Sequence, residues 1–282
     1  MMPQWLEMFG RIDRRIIYLA IAAAVALPLI FPLNLPLAIT KNSQSIFDRI
    51  EALPESSSVL IAFDFDPTSI PECQPMAIAL VRHVMKRGLP LIVYTNYPET
   101  GPIADRILEN LAKEYNRTYG TDYVNLGFKP GNDALLLSLG SSWTAPFPND
   151  QRGQVTAGMP IFQHCPNYRA LSYMVDIAHG ATVDFYITIG LAQFGVPLGV
   201  GVTAVNVPQY EAYMQTNQLT GMLGGLKGAA EYEKLVGKDG KATRGMDAQS
   251  VAHIVIIILI LLGNLSILPK WLQKRKSRAE GR

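Results

Sequence analysis

VLIAFDF (residues 59–65), LPLIVYTN (89–96) and DYVNLGF (122–128) decide the fold. Each is an apolar run of strand length, two of them ending in polar residues, and runs without strict alternation belong to strands buried on both faces. Between them lie stretches with apolar residues at helical spacing. Residues 74–87 form one, stopped by Gly88, and GPIADRILENLAKEY (101–115) forms the next, with Pro102 in the first turn where its missing N–H is harmless. DALLLSL (133–139) supplies a third helix. Strands alternating with helices predict an α/β fold: a Rossmann-like, mostly parallel sheet with helices on both faces.

Residues 141–166 break the rhythm with four prolines and two glycines, which predicts an insertion over the sheet edge, a lid or a mobile loop. A fourth strand follows at 173–178, a helix at 183–194 and a fifth strand at 196–205, whose glycines mark close approach of another backbone. Helices at 208–217 and 219–236 close the domain. The second holds Gly221, Gly224, Gly225 and Gly228. Each costs a helix about 1 kcal/mol relative to Ala, so a packing reason is expected. Pairs four apart would let another helix come close, either a partner's or one of the same domain.

Working outward, the hydrophobic share of 49% is concentrated in two blocks that flank this domain. Residues 248–268 include VAHIVIIILILLGNLSIL, with no charged side chain, long enough at ~1.5 Å per residue to cross a ~30 Å hydrocarbon core. Residues 16–39 are also long enough, but Pro28, Pro32 and Pro36 predict a kinked or partly unwound outer half. A cleaved signal peptide is the competing reading of that block. Its apolar run exceeds the usual ~7 to 15 residues, and no small-x-small cleavage site precedes the polar residues 41–45. Arg11, Arg14 and Arg15 before the first block, with the basic residues 270–282 after the second, place both termini in the cytoplasm and the middle outside it. Trp5 and Trp271 suit the membrane interfaces.

The expected organisation is then a cytoplasmic N-terminus (1–15), a first transmembrane helix (16–39) and a linker with the amphipathic helix SIFDRIEAL (40–58). An extracytoplasmic α/β domain (59–236), a linker (237–247), a second transmembrane helix (248–268) and a basic tail (269–282) complete it. The net charge of +2 comes largely from the basic tails, which excludes a nucleic-acid surface and points to the lipid bilayer. Cys73 and Cys165 would be permitted to pair in an oxidising compartment.

The sharpest chemical signal is Asp64-Phe-Asp66-Pro-Thr68 at the end of the first strand with Thr95-Asn96 at the end of the second. This resembles the first two motifs of haloacid dehalogenase-type phosphatases. The resemblance implies Asp64 as nucleophile and Mg²⁺ ligand, Asp66 as general acid and Thr95 as phosphate donor, with Lys129 supplying positive charge. That family also needs later acids to hold Mg²⁺, and here Asp176 stands alone, followed by His179 and Gly180. Pro67 is a second departure. Mg²⁺ is expected only if that reading holds, and no cofactor is implied otherwise. Independently of any family, ligands of open α/β sheets bind outside the carboxyl ends of the strands. The expected ligand rim is Asp64, Asp66, Thr95, Asn96, Asp176, Thr203 and Asn206.

LGGLKGAAEYE is not a phosphate loop, because Lys227 is followed by Gly228 where Ser or Thr is required. His83, His164 and His179 show no metal-ligand spacing. Asn116-Arg-Thr118 matches a glycosylation sequon. Residues 64–77 and 203–235 resemble a family of prokaryotic two-helix membrane proteins with no assigned activity, and that resemblance implies no chemistry. The expected function is a membrane-anchored binding, sensing or assembly module with a membrane-protein partner or a second copy of itself. The alternative is a Mg-dependent phosphohydrolase.

Overall fold

The computed structural model describes residues 13–280, with side chains to residue 265. Trp5 and Arg11, and the side chains of Trp271 and the basic tail, lie outside the described residues. The chain falls into two compact units, Leu37–Thr243 and the pair of segments that flank it.

In the flanking unit, helix α1 (Arg14–Ile30) is capped by Asp13 and ends at Phe31. Residues 16–39 therefore do not form one helix. Pro32 and Pro36 keep residues 32–39 out of helical pairing, and Asn34 takes a left-handed φ of +51°. Three successive N–H groups, of Leu33, Asn34 and Leu35, all donate to the Asp247 carboxylate at 2.9–3.1 Å. Asp247 belongs to the long C-terminal helix, labelled α10 below. One acid thus satisfies the backbone that the prolines leave without helical partners.

In the Leu37–Thr243 unit six parallel strands form one sheet. They are β1 (Val59–Asp64), β2 (Leu91–Thr95), β3 (Tyr123–Phe128), β4 (Tyr173–Ala178), β5 (Leu198–Val202) and β6 (Met222–Gly224), in the spatial order β3-β2-β1-β4-β5-β6. This is the strand order of doubly wound, Rossmann-like sheets, which reverses direction between β1 and β4. The helices are α2 (Lys41–Glu51), α3 (Ile70–Arg87), α4 (Thr100–Tyr115), α5 (Asn132–Leu139), α6 (Pro160–His164), α7 (Thr182–Phe185), α8 (Val207–Gln215), α9 (Gly225–Val236) and α10 (Lys241–Glu280). A π-helical stretch, Tyr186–Leu191, continues α7.

One face of the sheet is covered by α2, α3, α4 and α9. Ile46 and Ile50, four apart on α2, are fully buried there, as the amphipathic pattern requires. On the other face Leu60, Ala62, Ile92, Tyr94, Met174 and Val200 meet α5, α6, α7 and the π-helical stretch. Residues 141–166 pack into that second core: Trp143 is fully buried, and Phe147, Ile161 and Phe162 join it. The segment is therefore part of the core and no lid.

The glycine-rich run also differs from expectation. Residues 219–236 are not one helix, because Met222–Gly224 pairs with β5 as a sixth strand and α9 begins only at Gly225, at φ +58°. A Cβ at Gly225 would stand 2.8 Å from Ala204 Cβ, and one at Gly228 would stand 2.7 Å from the Leu223 carbonyl carbon. The space at Gly221 is filled by Ile46 and Asn42, and that at Gly224 by Val207. Gly221 and Gly228 thus lie against backbone atoms, whereas the β5 glycines admit side chains: Tyr173 and Ile46 at Gly199, Met76 at Gly201.

Helix α9 carries two buried acids with structural partners. Glu231 accepts from the Thr40 N–H and hydroxyl, where the chain enters the domain. Glu233 accepts from the N–H groups of Gly240, Ala242 and Thr243 and from the Thr243 hydroxyl, where the chain leaves it. The expected linker 237–247 is consequently a short turn closed by Gly237 at φ +79°, followed from Lys241 by helix. Among the described residues one helix, Lys241–Leu265, is long and apolar enough to cross a membrane. Helix α1 has 17 residues, about 25 Å at the usual rise.

Candidate functional site

The reversal of winding between β1 and β4 separates the loops that follow them, and three strand ends are tied together around that point. After β1 the chain turns at Asp66, whose carboxylate accepts from the N–H groups of Thr68 and Ser69 and from both hydroxyls. This caps the 3-10 turn Pro67–Ser69 and leads into α3. Pro67 stands at the first helical position, where its fixed φ suits the turn. After β4, the His179 N–H donates to the Asp64 carbonyl. Asn206 holds the His179 carbonyl at 2.8 Å, and the Tyr210 hydroxyl holds the Gly180 carbonyl at 3.0 Å. Glu72, in the first turn of α3, accepts from the Ala204 N–H after β5.

Beneath this surface lies a pair of buried carboxyls. Asp64 and Asp176 fall on the same face of adjacent strands, because Asp64 pairs in register with Ala178 and Asp176 with Ala62. Both side chains point away from the rim into the core under α7 and the π-helical stretch. Asp64 accepts from the Asn96 N–H at 2.7 Å, from Asn96 Nδ2 at 2.8 Å and from the Tyr186 hydroxyl at 2.8 Å. The single Tyr186 proton is thereby committed, so the Tyr94 hydroxyl, 2.7 Å away, must donate to Tyr186. Asp176 has one donor, the Thr182 hydroxyl at 3.0 Å, and its Oδ1 meets none.

Two carboxyls this close in the interior do not both ionise. Burial holds Asp64 above the usual carboxylate range, although the donors from Asn96 and Tyr186, and Asp176, oppose that rise. Burial and the Asp64 charge together push Asp176 well above the usual carboxylate range. Asp176 therefore holds a proton and donates it to Asp64, which accounts for the oxygen that lacks a donor.

The sequence-predicted rim residues divide into two groups. Asp66, Asn96 and Asn206 are partly exposed around the strand ends, whereas Asp64, Thr95 and Asp176 are fully buried and Thr203 nearly so. The Thr95 hydroxyl donates to the Phe63 carbonyl at 2.6 Å and accepts from the Tyr97 N–H, so it fastens β2 to β1 and is not free to donate to a phosphate. The Lys129 ammonium lies over the Phe147 ring. Among the described residues no group of three acids, histidines or cysteines is arranged to hold a metal. Both cysteines are free and buried, and burial pushes the Cys73 thiol up to about 12, which leaves no thiolate at neutral pH.

Tyr97, which sequence reasoning passed over, and His179, which it named but did not place on the rim, complete the exposed surface. Tyr97 packs edge-on against His179, with ring centroids 4.9 Å apart. His179 turns both ring nitrogens inward, Nε2 toward Asp66 at 3.7 Å and Nδ1 toward the Asp64 carbonyl at 3.4 Å. The signal for both was position: Tyr97 and His179 lie within two residues of the ends of β2 and β4.

Electrostatically the site favours neutral or positive groups. Its Asn96 N–H, of the kind that would cradle a phosphate at a strand end, is taken by Asp64, and Asp66 adds a carboxylate held below the usual range by Thr68 and Ser69. Comparison with protein-family models, with curated proteins and with solved structures gives no match to this chain.

Proposed function

We propose that the chain is a two-pass membrane protein with both termini cytoplasmic, whose extracytoplasmic α/β domain is a binding module serving as sensor or assembly subunit of a membrane complex. Its contact surface is the strand-end rim of Asp66, Tyr97, His179 and Asn206, and its ligand or partner presents neutral or cationic polar groups. The observation that carries this reading is the state of Asp64. A phosphoryl-transfer nucleophile must present an oxygen to its substrate, whereas both Asp64 oxygens are buried and occupied by Asn96 and Tyr186. The basic segments beside the two apolar stretches support the orientation through the positive-inside bias.

The test uses the full chain in nanodiscs, with a photo-crosslinking amino acid in place of Tyr97, exposed to its native membrane fraction. A discrete adduct that Asp66→Ala suppresses is the expected result. In parallel, Mg²⁺ with p-nitrophenyl phosphate should give no turnover. Hydrolysis by wild type that Asp64→Asn abolishes would replace the binding module with the phosphohydrolase.

A further inference from the structure

The sequon Asn116-Arg-Thr118 plays no part in the strand-end rim. It lies in the turn that joins the end of α4 to the start of β3, at the amino ends of the parallel strands, whereas the rim is at their carboxyl ends. Asn116 is the C-cap of α4, in the left-handed region at φ +53° and ψ +48°. Both Asn116 and Thr118 are exposed. Arg117 between them turns the other way, and its Nε and Nη2 donate to the Met85 carbonyl in the last turn of α3, at 3.0 and 2.8 Å. The Thr118 N–H donates to the Asp122 carboxylate at 2.7 Å, and the Asp122 N–H returns a bond to the Thr118 carbonyl at 2.8 Å.

The fold accounts for the backbone of this turn. Asn is suited to a left-handed cap, Arg117 anchors the turn to α3, and Thr118 closes it with Asp122. None of this employs the Asn116 carboxamide or the Thr118 hydroxyl, which among the described residues meet no partner within the chain. A free carboxamide and a free hydroxyl two residues apart on the surface, with no proline between them, are the groups that an asparagine-linked glycan requires of its acceptor. The sequence holds one further match, Asn264-Leu-Ser266. It falls inside the apolar stretch 248–268, where a transferase working in water has no access.

We propose that Asn116 is the acceptor site for an N-linked oligosaccharide. The proposal rests on the extracytoplasmic placement of the domain. The donor is an oligosaccharide carried on a lipid pyrophosphate: Asn116 Nδ2 forms a bond to the anomeric carbon as the bond from that carbon to the pyrophosphate oxygen breaks. The lipid pyrophosphate leaves, and the Nδ2 proton passes to a base of the transferase. A glycan here is bulky and solubilising, and its place at the amino ends of the strands leaves Asp66, Tyr97, His179 and Asn206 clear for a partner.

The test has two arms. In the first, the full chain is translated with endoplasmic-reticulum microsomes, which supply the transferase and its lipid-linked donor, and its electrophoretic mobility is followed. A retarded band is expected, which Asn116→Asp and Thr118→Ala each abolish and Thr118→Ser retains. Asp also adopts the left-handed conformation, so the first variant keeps the cap. A control chain combines Asn116→Asp with Gly153→Asn and Val155→Thr. This moves the sequon to another exposed turn of the same domain, where Gly153 has φ +75° and open space around it. Retardation of the control without that of wild type overturns the proposal and leaves the orientation standing. Retardation of neither overturns both, because the domain then faces the cytoplasm. In the second arm, peptide mass spectrometry of the protein from its native membranes should find a hexose-containing increment on Asn116, and an unmodified Asn116 there overturns the proposal.

Discussion

Glu233 and Asp176 are both buried acids in one domain, and the chain treats them in opposite ways. Glu233 receives four donors from the turn and first residues of α10. Asp176 receives one, and faces a second carboxyl on the neighbouring strand. Where donors are plentiful a buried carboxylate fastens one element to another. Where they are scarce, the group keeps its proton and becomes a donor itself. Asp64 stands between the two, with three donors from the chain and a fourth from Asp176.

Three substitutions sharpen that contrast. Glu233→Ala strips four donors of their acceptor, three of them backbone N–H groups of which two are buried, and should cost about 3 kcal/mol or more. The loss would be read from denaturant unfolding of the full chain in detergent. Asp64→Asn directs an amide donor at Asn96 and Tyr186, which already donate, and should cost about 2 kcal/mol by the same measurement. Asp176→Asn keeps a donor toward Asp64 and should cost less than about 1 kcal/mol near neutral pH.

The third substitution also has a pH signature. A carboxyl raised on folding contributes stability that is full below the ordinary carboxylate range and is lost as pH rises from there through the raised value. The wild type should therefore lose stability toward alkaline pH more steeply than Asp176→Asn, and the two curves should cross. Equal damage from Asp64→Asn and Asp176→Asn, with parallel pH profiles, would break the assignment of the proton to Asp176.

Much of the architecture was legible from residues 59–65, 89–96, 122–128 and 173–178, because parallel strands buried on both faces leave apolar runs that tolerate few other readings. The π-helical continuation of α7 and strand β6 were not. Three residues of strand inside GMLGGLKG carry too little pattern, and glycines that stand for a positive φ and close contacts look the same as glycines on a helix face. The burial of Asp64 and Asp176 was within reach of the sequence. Counting by twos from Leu60 and Ala62, and from Met174, puts both acids on one face of a sheet that is covered on both, whereas position at a strand end alone suggests the rim. Glu231 and Glu233 were out of reach, since their donors at Thr40 and residues 240–243 come from chain segments that only the fold brings to them.

Those two glutamates have a consequence for how the domain relates to the rest of the chain. They stand two residues apart on α9, so the points where the polypeptide enters and leaves the domain are both fastened to the same turn of one helix. The roughly 200 residues between Thr40 and Thr243 are thus a closed loop whose closure entropy is met by contacts inside the loop itself. In evolutionary terms the domain is closed on itself at α9, and a circular permutant with its old ends joined by a linker should keep the sheet.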